Sequence, residues 1–300
     1  MKTINTLVRD VYALLESGIA KIDVSKLSTM LAGRLDTTKG GPALRMSNAG
    51  EKCHRKLWYR QNRPNTSEPI PGFTSLKFLT GDIKEELVLS LVEQTDHKVE
   101  GRQEEVEFEG VKGHIDAIID GMVIDVKSAN SRSMEKFKRH ALERDDPFGY
   151  LDQISLYAEA LRDDPRVTVK DEVAFLVADK ELGHLVLDRY KLRERPWKDI
   201  LSNIKETLAK PEPPPRFYQD EPDGKSGNKT ICMECRYCSF KEECWKDSNG
   251  GRGLRKFLYA AGPKWLTRVM KQPEVFEDVH SKTNSPLEQE TKSSAKEIAT

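Results

Sequence analysis

Apolar residues recur along this chain with two different periods, and each period marks a different kind of element. Across residues 73–95, Leu79, Ile83, Leu87, Leu91 and Val92 fall near helical spacing, which predicts an amphipathic helix. Residues 1–36, about 53–61, 146–164 and 196–209 are expected to be helical as well. Strands are expected around 97–108 and 113–127, and later in "EVAFLVADK" and "LGHLVLDRYKL". "DTTKGGPALRMSNAGEKC" and "RPNTSEPIPG" are expected loops, and the proline-rich "KPEPPPRFYQDEPDGKSGNKT" is a linker in which no helix can continue. From residue 272 onward the polarity is that of a disordered tail. No internal repeat is present.

The stretch "GHIDAIIDGMVIDVKSA", residues 113–129, holds the most informative pattern. Asp120-Gly121 is the dipeptide favoured in two-residue type I′ hairpin turns. That turn pairs Ile119 with Met122, Ala117 with Ile124 and Ile115 with Val126, so one face of the hairpin is wholly apolar. The other face carries His114, Asp116, Ile118, Val123, Asp125 and Lys127. Asp116 is then directly opposite Asp125. Facing residues on paired strands are roughly 5 Å apart, where like charges repel. A surface hairpin tolerated by solvent is one reading; a divalent-cation site is the other, with Lys127 beside both carboxylates. Carboxylates suit Mg²⁺, and a neighbouring lysine can orient the attacking water and offset charge on a phosphate.

Composition narrows the classes. Three hundred residues with 37% hydrophobic and 33% charged content describe a polar chain long enough for one large domain. The net charge is zero, so no global field advertises nucleic acid, and only local patches argue for it. "KCHRKLWYR", "KFKRH" and "GRGLRKFLYAAGPKWLTRVMK" are basic with interleaved aromatics, a pattern that equally suits a solvated helix face. No apolar run of about 18 residues exists, and the N-terminus lacks a signal-like apolar stretch. A reducing cytoplasmic location, in the host if the chain is viral, and no membrane association are therefore expected. Four of the five cysteines crowd between residues 232 and 244, which favours a metal over disulfides.

The D…DxK pattern of Asp116, Asp125 and Lys127 resembles the PD-(D/E)xK nuclease superfamily. Two other stretches resemble its RecB-like branch. "YLDQISLYAEAL" sets Gln153 and Tyr157 four apart on one helix face, matching a Q-x-x-x-Y motif that lines the site and positions the strand. "GDIKEELV" places Glu85 four residues after Gly81, matching a motif that completes the metal site, with Glu86 as the alternative ligand. The resemblance spans about residues 45–245. It implies an α/β fold with a central mixed sheet flanked by helices, of the restriction-endonuclease type. It also implies Mg²⁺ or Mn²⁺ held by Glu85, Asp116, Asp125 and the Val126 carbonyl.

The cysteines fit the same branch. Its members resembling CRISPR-adaptation exonucleases carry one cysteine before the nuclease core and C-x2-C-x5-C after it, positions matched here by Cys53, Cys235, Cys238 and Cys244. The resemblance implies a [4Fe-4S] cluster on these four that joins the N- and C-terminal segments, with zinc as the alternative. Cys232 departs from the pattern. The expected organisation is an N-terminal helical cap (1–44), the nuclease core with its staple (45–245), a basic segment (246–271) and the tail (272–300). The expected function is metal-dependent exonuclease action on DNA, from free single-stranded ends. Replication, recombination or CRISPR proteins are the partners such a nuclease implies. A structure-selective endonuclease, or a non-catalytic DNA-binding or assembly protein retaining the fold, are the alternatives. No G-x-x-x-x-G-K-[ST] phosphate loop is present, so no helicase activity is expected.

Overall fold

A computed structural model describes residues 2–35 and 44–278. The tail beyond residue 278, and residues 36–43 of the first expected loop, lie outside the described residues. The chain divides into two compact units: residues 1–62 with 70–214, and residues 63–69 with 215–300. The expected boundaries differ from this division. The N-terminal segment is part of the first unit because Leu7 and Val11 are fully buried in its core.

The first unit is built on a five-stranded sheet in the order β1-β4-β5-β6-β7. These strands are β1 (Val99–Glu100), β4 (Ala117–Ile119), β5 (Met122–Ala129), β6 (Glu172–Asp179) and β7 (Leu185–Lys191). Only β5 and β6 run parallel; the other pairs are antiparallel, so the sheet is mixed as expected. A separate two-stranded ribbon joins β2 (Glu105–Phe108) to β3 (Val111–His114). The single strand expected over 97–108 is thus two short ones, because the chain turns through left-handed residues at Gly101 and Gln103.

Helices cover both faces. α1 (Leu7–Glu16) and α4 (Gly72–Glu93) pack Leu7, Val11, Val88, Leu89 and Val92 against Ala117, Ile119, Met122, Ile124 and Val126. α5 (Ser131–Lys138) and α6 (Tyr150–Ala160) pack Met134, Phe137, Ile154 and Tyr157 against Ile118, Val123, Phe175 and Val177. β5 and β6 therefore bury both faces, which is why they read as nearly continuous apolar runs. α5 has no counterpart among the expected helices; Asn130 caps it by accepting from the Ser133 N–H. α6 starts at residue 150 rather than 146 because Gly149, at φ 70°, sets off its first turn. α2 (Val24–Leu35), α3 (His54–Asn62) and α7 (Trp197–Ala209) complete this unit. Trp58 of α3 donates to the Lys210 carbonyl at the end of α7.

The second unit has a four-stranded sheet in the order β10-β11-β9-β8. β8 (Asp220–Pro222) falls inside the expected linker and β9 (Lys229–Ile231) begins at its end. β10 (Arg255–Tyr259) and β11 (Gly262–Arg268) form a hairpin from the basic segment, which is no helix face. Residues 272–278, expected to begin the tail, include a bridge from Glu277 to Phe257. That strap is held by ion pairs of Arg255 with Glu277 and of Lys256 with Asp278. Two four-residue helices, α8 (Met233–Arg236) and α9 (Lys241–Cys244), carry Cys235 and Cys244, with Cys232 just before α8 and Cys238 between the two.

The β4–β5 turn is as the sequence predicts, with φ of 50° at Asp120 and 82° at Gly121. Gly121 is required twice over: a Cβ there would be 2.0 Å from Thr168 Oγ1, and its φ disfavours side chains. Gly121→Ala should lower stability by roughly 1–3 kcal/mol in urea unfolding. Gly33→Ala, in helix α2 with open space around it, should be neutral or gain about 0.5–1 kcal/mol. Equal effects at the two positions would contradict this packing of the turn.

Candidate active site

The expected hairpin register holds for Ala117↔Ile124, Ile118↔Val123 and Ile119↔Met122, and then stops. The expected pairing of Ile115 with Val126 does not form, because β4 parts from β5 at Asp116. Ile115 instead donates its N–H to the Glu104 carbonyl and packs in the opposite core cluster. Asp116 replaces the lost ladder contact with its side chain: Oδ2 accepts the Val126 N–H at 2.7 Å. The two aspartates are thus brought together by a side-chain graft onto the strand, not by a cross-strand pair.

Asp125 is buried on β5. Its buried Oδ2 is 2.5 Å from Lys127 Nζ in an ion pair. Its Oδ1 faces the Gln153 amide on α6 at 3.3 Å. Tyr157, one turn further along α6, packs its ring over Gly113. A Cβ at Gly113 would meet Tyr157 Cε1 at 2.6 Å and Met46 Cβ at 2.8 Å, so β3 approaches α6 only because that position is glycine.

The loop between β1 and β2 supplies contacts that the sequence reading did not single out. Gln103 Nε2 donates to Glu85 Oε1 at 2.5 Å and to Asp116 Oδ1 at 3.2 Å. Its backbone N–H also reaches the Asp116 carbonyl at 3.3 Å. The adjacent Arg102 pairs instead with Glu86, which is fully buried, and with Glu93 at 2.6 Å. The two neighbouring glutamates of α4 therefore have different partners: Glu85 turns toward Asp116 and Glu86 into the Arg102 ion pair. A left-handed φ of 52° at Gln103 sets this loop geometry, and nothing in the local residue pattern announces it.

Charge is crowded here. Burial first, and then the charges of Asp125 and Glu85, hold the Asp116 carboxyl well above its ordinary pKa. Burial likewise raises Asp125, with Lys127 opposing. Burial works against the Lys127 ammonium, but Asp125 and Asp116 together outweigh it and raise its pKa. Tyr157 is raised by burial and by the same two aspartates. Among the described residues no three His, Cys, Asp or Glu side chains are drawn into a metal-ligating arrangement. Glu85 and Asp116 share Gln103, while Asp125 holds Lys127. The donor set nevertheless fits a hard divalent cation: three carboxylates, of which the Asp116 carboxyl resists ionising without added positive charge.

The cysteines divide between the units. Cys53 precedes α3 in the first unit, and the other four belong to the second. None of the five is in a disulfide. Cys232 and Cys235 hydrogen-bond each other, and Cys235, raised first by burial, also feels Cys238. Cys235 and Cys244 pack against the cluster of Ile231, Trp245 and Leu254. The basic stretches are largely occupied by internal acids: Lys56 with Glu51, Lys136 with Asp145, and Lys264 with Asp223.

The raised Asp116 carboxyl gives a signed prediction. It holds its proton more tightly folded than unfolded, so the metal-free protein loses stability as pH rises from the ordinary 3.8 through the raised value. Asp116→Asn keeps an acceptor for the Val126 N–H but carries no charge. In chelator at pH 7 its melting temperature should exceed wild type by roughly 3 °C or more. The gap should close as pH falls toward 3.8. A variant that melts lower at every pH would contradict the repulsion.

Among the described residues no helix is long and apolar enough to cross a membrane. No curated protein matches the chain. The crystal structure of SSO0001 is similar at 17% identity and a TM-score of 0.38, covering 74% of this chain and 95% of that one. An alkaline exonuclease (LHK-Exo) from Laribacter hongkongensis is similar at 14% identity and a TM-score of 0.37, covering 55% and 86%. A family model matches residues 38–245, across the mixed sheet, Asp116, Asp125, Lys127 and the α6 pair, and by that match the chain belongs to the PD-(D/E)XK nuclease superfamily.

Proposed function

We propose that this chain hydrolyses DNA phosphodiester bonds with Mg²⁺ or Mn²⁺, as an exonuclease acting from free single-stranded ends. The reading rests on one observation above all: Asp116, Asp125, Lys127 and Gln153 meet at the point where β4 leaves β5. Glu85, Asp116, Asp125 and the Val126 carbonyl would hold the cation. The N–H and C=O of a strand residue leave the same edge, so the Val126 carbonyl faces the side on which its N–H meets Asp116. When bound, the cation withdraws charge from the phosphodiester and eases deprotonation of the attacking water.

The protein's own groups do the rest. Lys127 is held as an ammonium by the two aspartates, so it donates: it orients the water and neutralises charge building on the phosphate. The Gln153 amide fixes Asp125 from the α6 side, and Tyr157 walls the site toward β3. Glu85, and not Glu86, is the third carboxylate, because Glu86 is already neutralised by Arg102. DNA is the partner this reading requires.

End-labelled and circular DNA, with and without Mn²⁺, test the activity. Asp116→Ala and Asp125→Ala should abolish divalent-dependent cleavage. Lys127→Ala should lower kcat by about two orders of magnitude or more with little change in DNA affinity. Cleavage by Asp116→Ala at the wild-type rate would end the assignment, and cutting of circular DNA as fast as linear would replace exonuclease by endonuclease.

For the cysteines we propose the RecB-like arrangement: a [4Fe-4S] cluster, or zinc, on Cys53, Cys235, Cys238 and Cys244. Their spacing supports it, while the Cys232–Cys235 hydrogen bond favours a local four-cysteine site as the second reading. Anaerobically purified protein should be brown, and Cys53→Ala should bleach it while Cys232→Ala keeps its colour. Metal retained without Cys53 but lost without Cys232 would establish the local site instead.

A further inference from the structure

Beside the candidate active site, a cavity of about 470 Å³ opens in the first unit. Lys77, Lys127, Lys136, Lys180, Phe148 and Tyr150 are among its lining residues. Its volume is within the range of small-ligand pockets, roughly 300–1,000 Å³. It adjoins the catalytic group directly, because Lys127 lines it and the Tyr150 ring is 5.0 Å from Lys127 Nζ.

The cations of this cavity are not equally occupied. Lys127 is paired with Asp125 and Lys136 with Asp145, at 2.5 Å each. Glu181, also in the lining, accepts a hydrogen bond from Ser131. Lys77 and Lys180, by contrast, have no carboxylate ion pair among the described residues. Burial, and then the charges of Lys77 and Lys84, lower the Lys180 pKa. Two lysines thus converge on one cavity, from α4 and from the end of β6, with mutual repulsion and neither in an ion pair among the described residues. A phosphate would relieve that repulsion.

Part of the lining is aromatic. Phe148 is 65% exposed, a large apolar ring left in solvent at the mouth of a cationic cavity. Its centroid is 5.5 Å from that of Tyr150 at an interplanar angle of 31°, which leaves its outer face uncovered by that neighbour. Lysines for a phosphate and an open ring for a base are the two halves of a nucleotide subsite. A duplex hides its base faces in the stack, whereas a single strand offers them to aromatic side chains.

We propose that this cavity seats a nucleotide of a single DNA strand next to the scissile bond, its phosphate on Lys77 and Lys180 and its base stacked on Phe148. The inference rests on the nuclease reading above and assigns its strand selectivity to these three side chains. They touch the substrate away from the reacting atoms, so their loss weakens binding more than chemistry.

The test uses the full chain in chelator with a fluorescent oligothymidylate, alone or annealed to its complement, followed by anisotropy. Wild type should prefer the single strand. Phe148→Ala should weaken single-strand binding roughly tenfold and change duplex binding far less, while Phe148→Trp restores it. Lys77→Ala with Lys180→Ala should flatten the salt dependence of single-strand binding by about 0.7 in log–log slope, the one phosphate they share. Lys198→Ala, at an exposed position on α7, serves as the control and should change neither. Cleavage of the same oligonucleotide with Mn²⁺ is measured in parallel, and the Phe148 variant should raise KM with little change in kcat. Wild-type affinity and salt slope in both variants, while the wild-type enzyme cleaves and Asp116→Ala does not, would overturn the subsite and leave the nuclease standing. Equal losses for single strand and duplex would also overturn it. No cleavage by wild type would instead remove the nuclease reading on which the subsite depends.

Discussion

The first unit depends on keeping two carboxylates close together at a sheet position largely removed from water. Asp116 and Asp125 repel each other, and burial makes that repulsion expensive. Four contacts hold the pair in place: the Val126 N–H and the Gln103 amide on Asp116, and the Lys127 ammonium and the Gln153 amide on Asp125. Val126 and Lys127 are neighbours on β5, whereas Gln103 comes from the loop between β1 and β2 and Gln153 from α6. The arrangement is that of a site made to receive positive charge.

The surrounding elements can be read as supports for that pair. β5 must be central and rigid, since it carries both Asp125 and Lys127, and burial of both its faces supplies that rigidity. α4 brings Glu85 within reach, and the neighbouring Glu86–Arg102 ion pair fixes the rotation of the helix about its axis. Truncating either partner of that buried pair would leave an uncompensated charge, an effect on the order of 3–5 kcal/mol. Gly113 lets α6 come close enough for Gln153 to meet Asp125. Specificity of this kind is carried by polar contacts on a scaffold whose stability is apolar.

Electrostatics also explain a chain with no net charge that nonetheless suits an anionic substrate. Most basic side chains in the three basic stretches pair with acids of the same unit, so they hold structure and add little field. Among the described residues Lys77 and Lys180, which line the cavity beside Lys127, have no such ion pair.

By itself the sequence determined the local features whose cause is local. Asp120-Gly121 set the turn and the first three pairs of the hairpin, because left-handed backbone at both positions admits little else. Helical periodicity placed α4 and α7 within about a residue or two, and Asp116, Asp125, Lys127, Gln153 and Tyr157 were all legible as one constellation. The tertiary structure decided what depends on contacts between distant segments. The break in the ladder at Asp116 follows from a competing acceptor on Val126 and a competing partner for Ile115, neither visible in the period-2 pattern. Glu85 and Glu86 are adjacent on one helix, and only the loop at Arg102 and Gln103 gave them different partners. The basic segment after the cysteines formed a hairpin because its cations found acids 22 to 41 residues away, and such pairings leave no periodic trace.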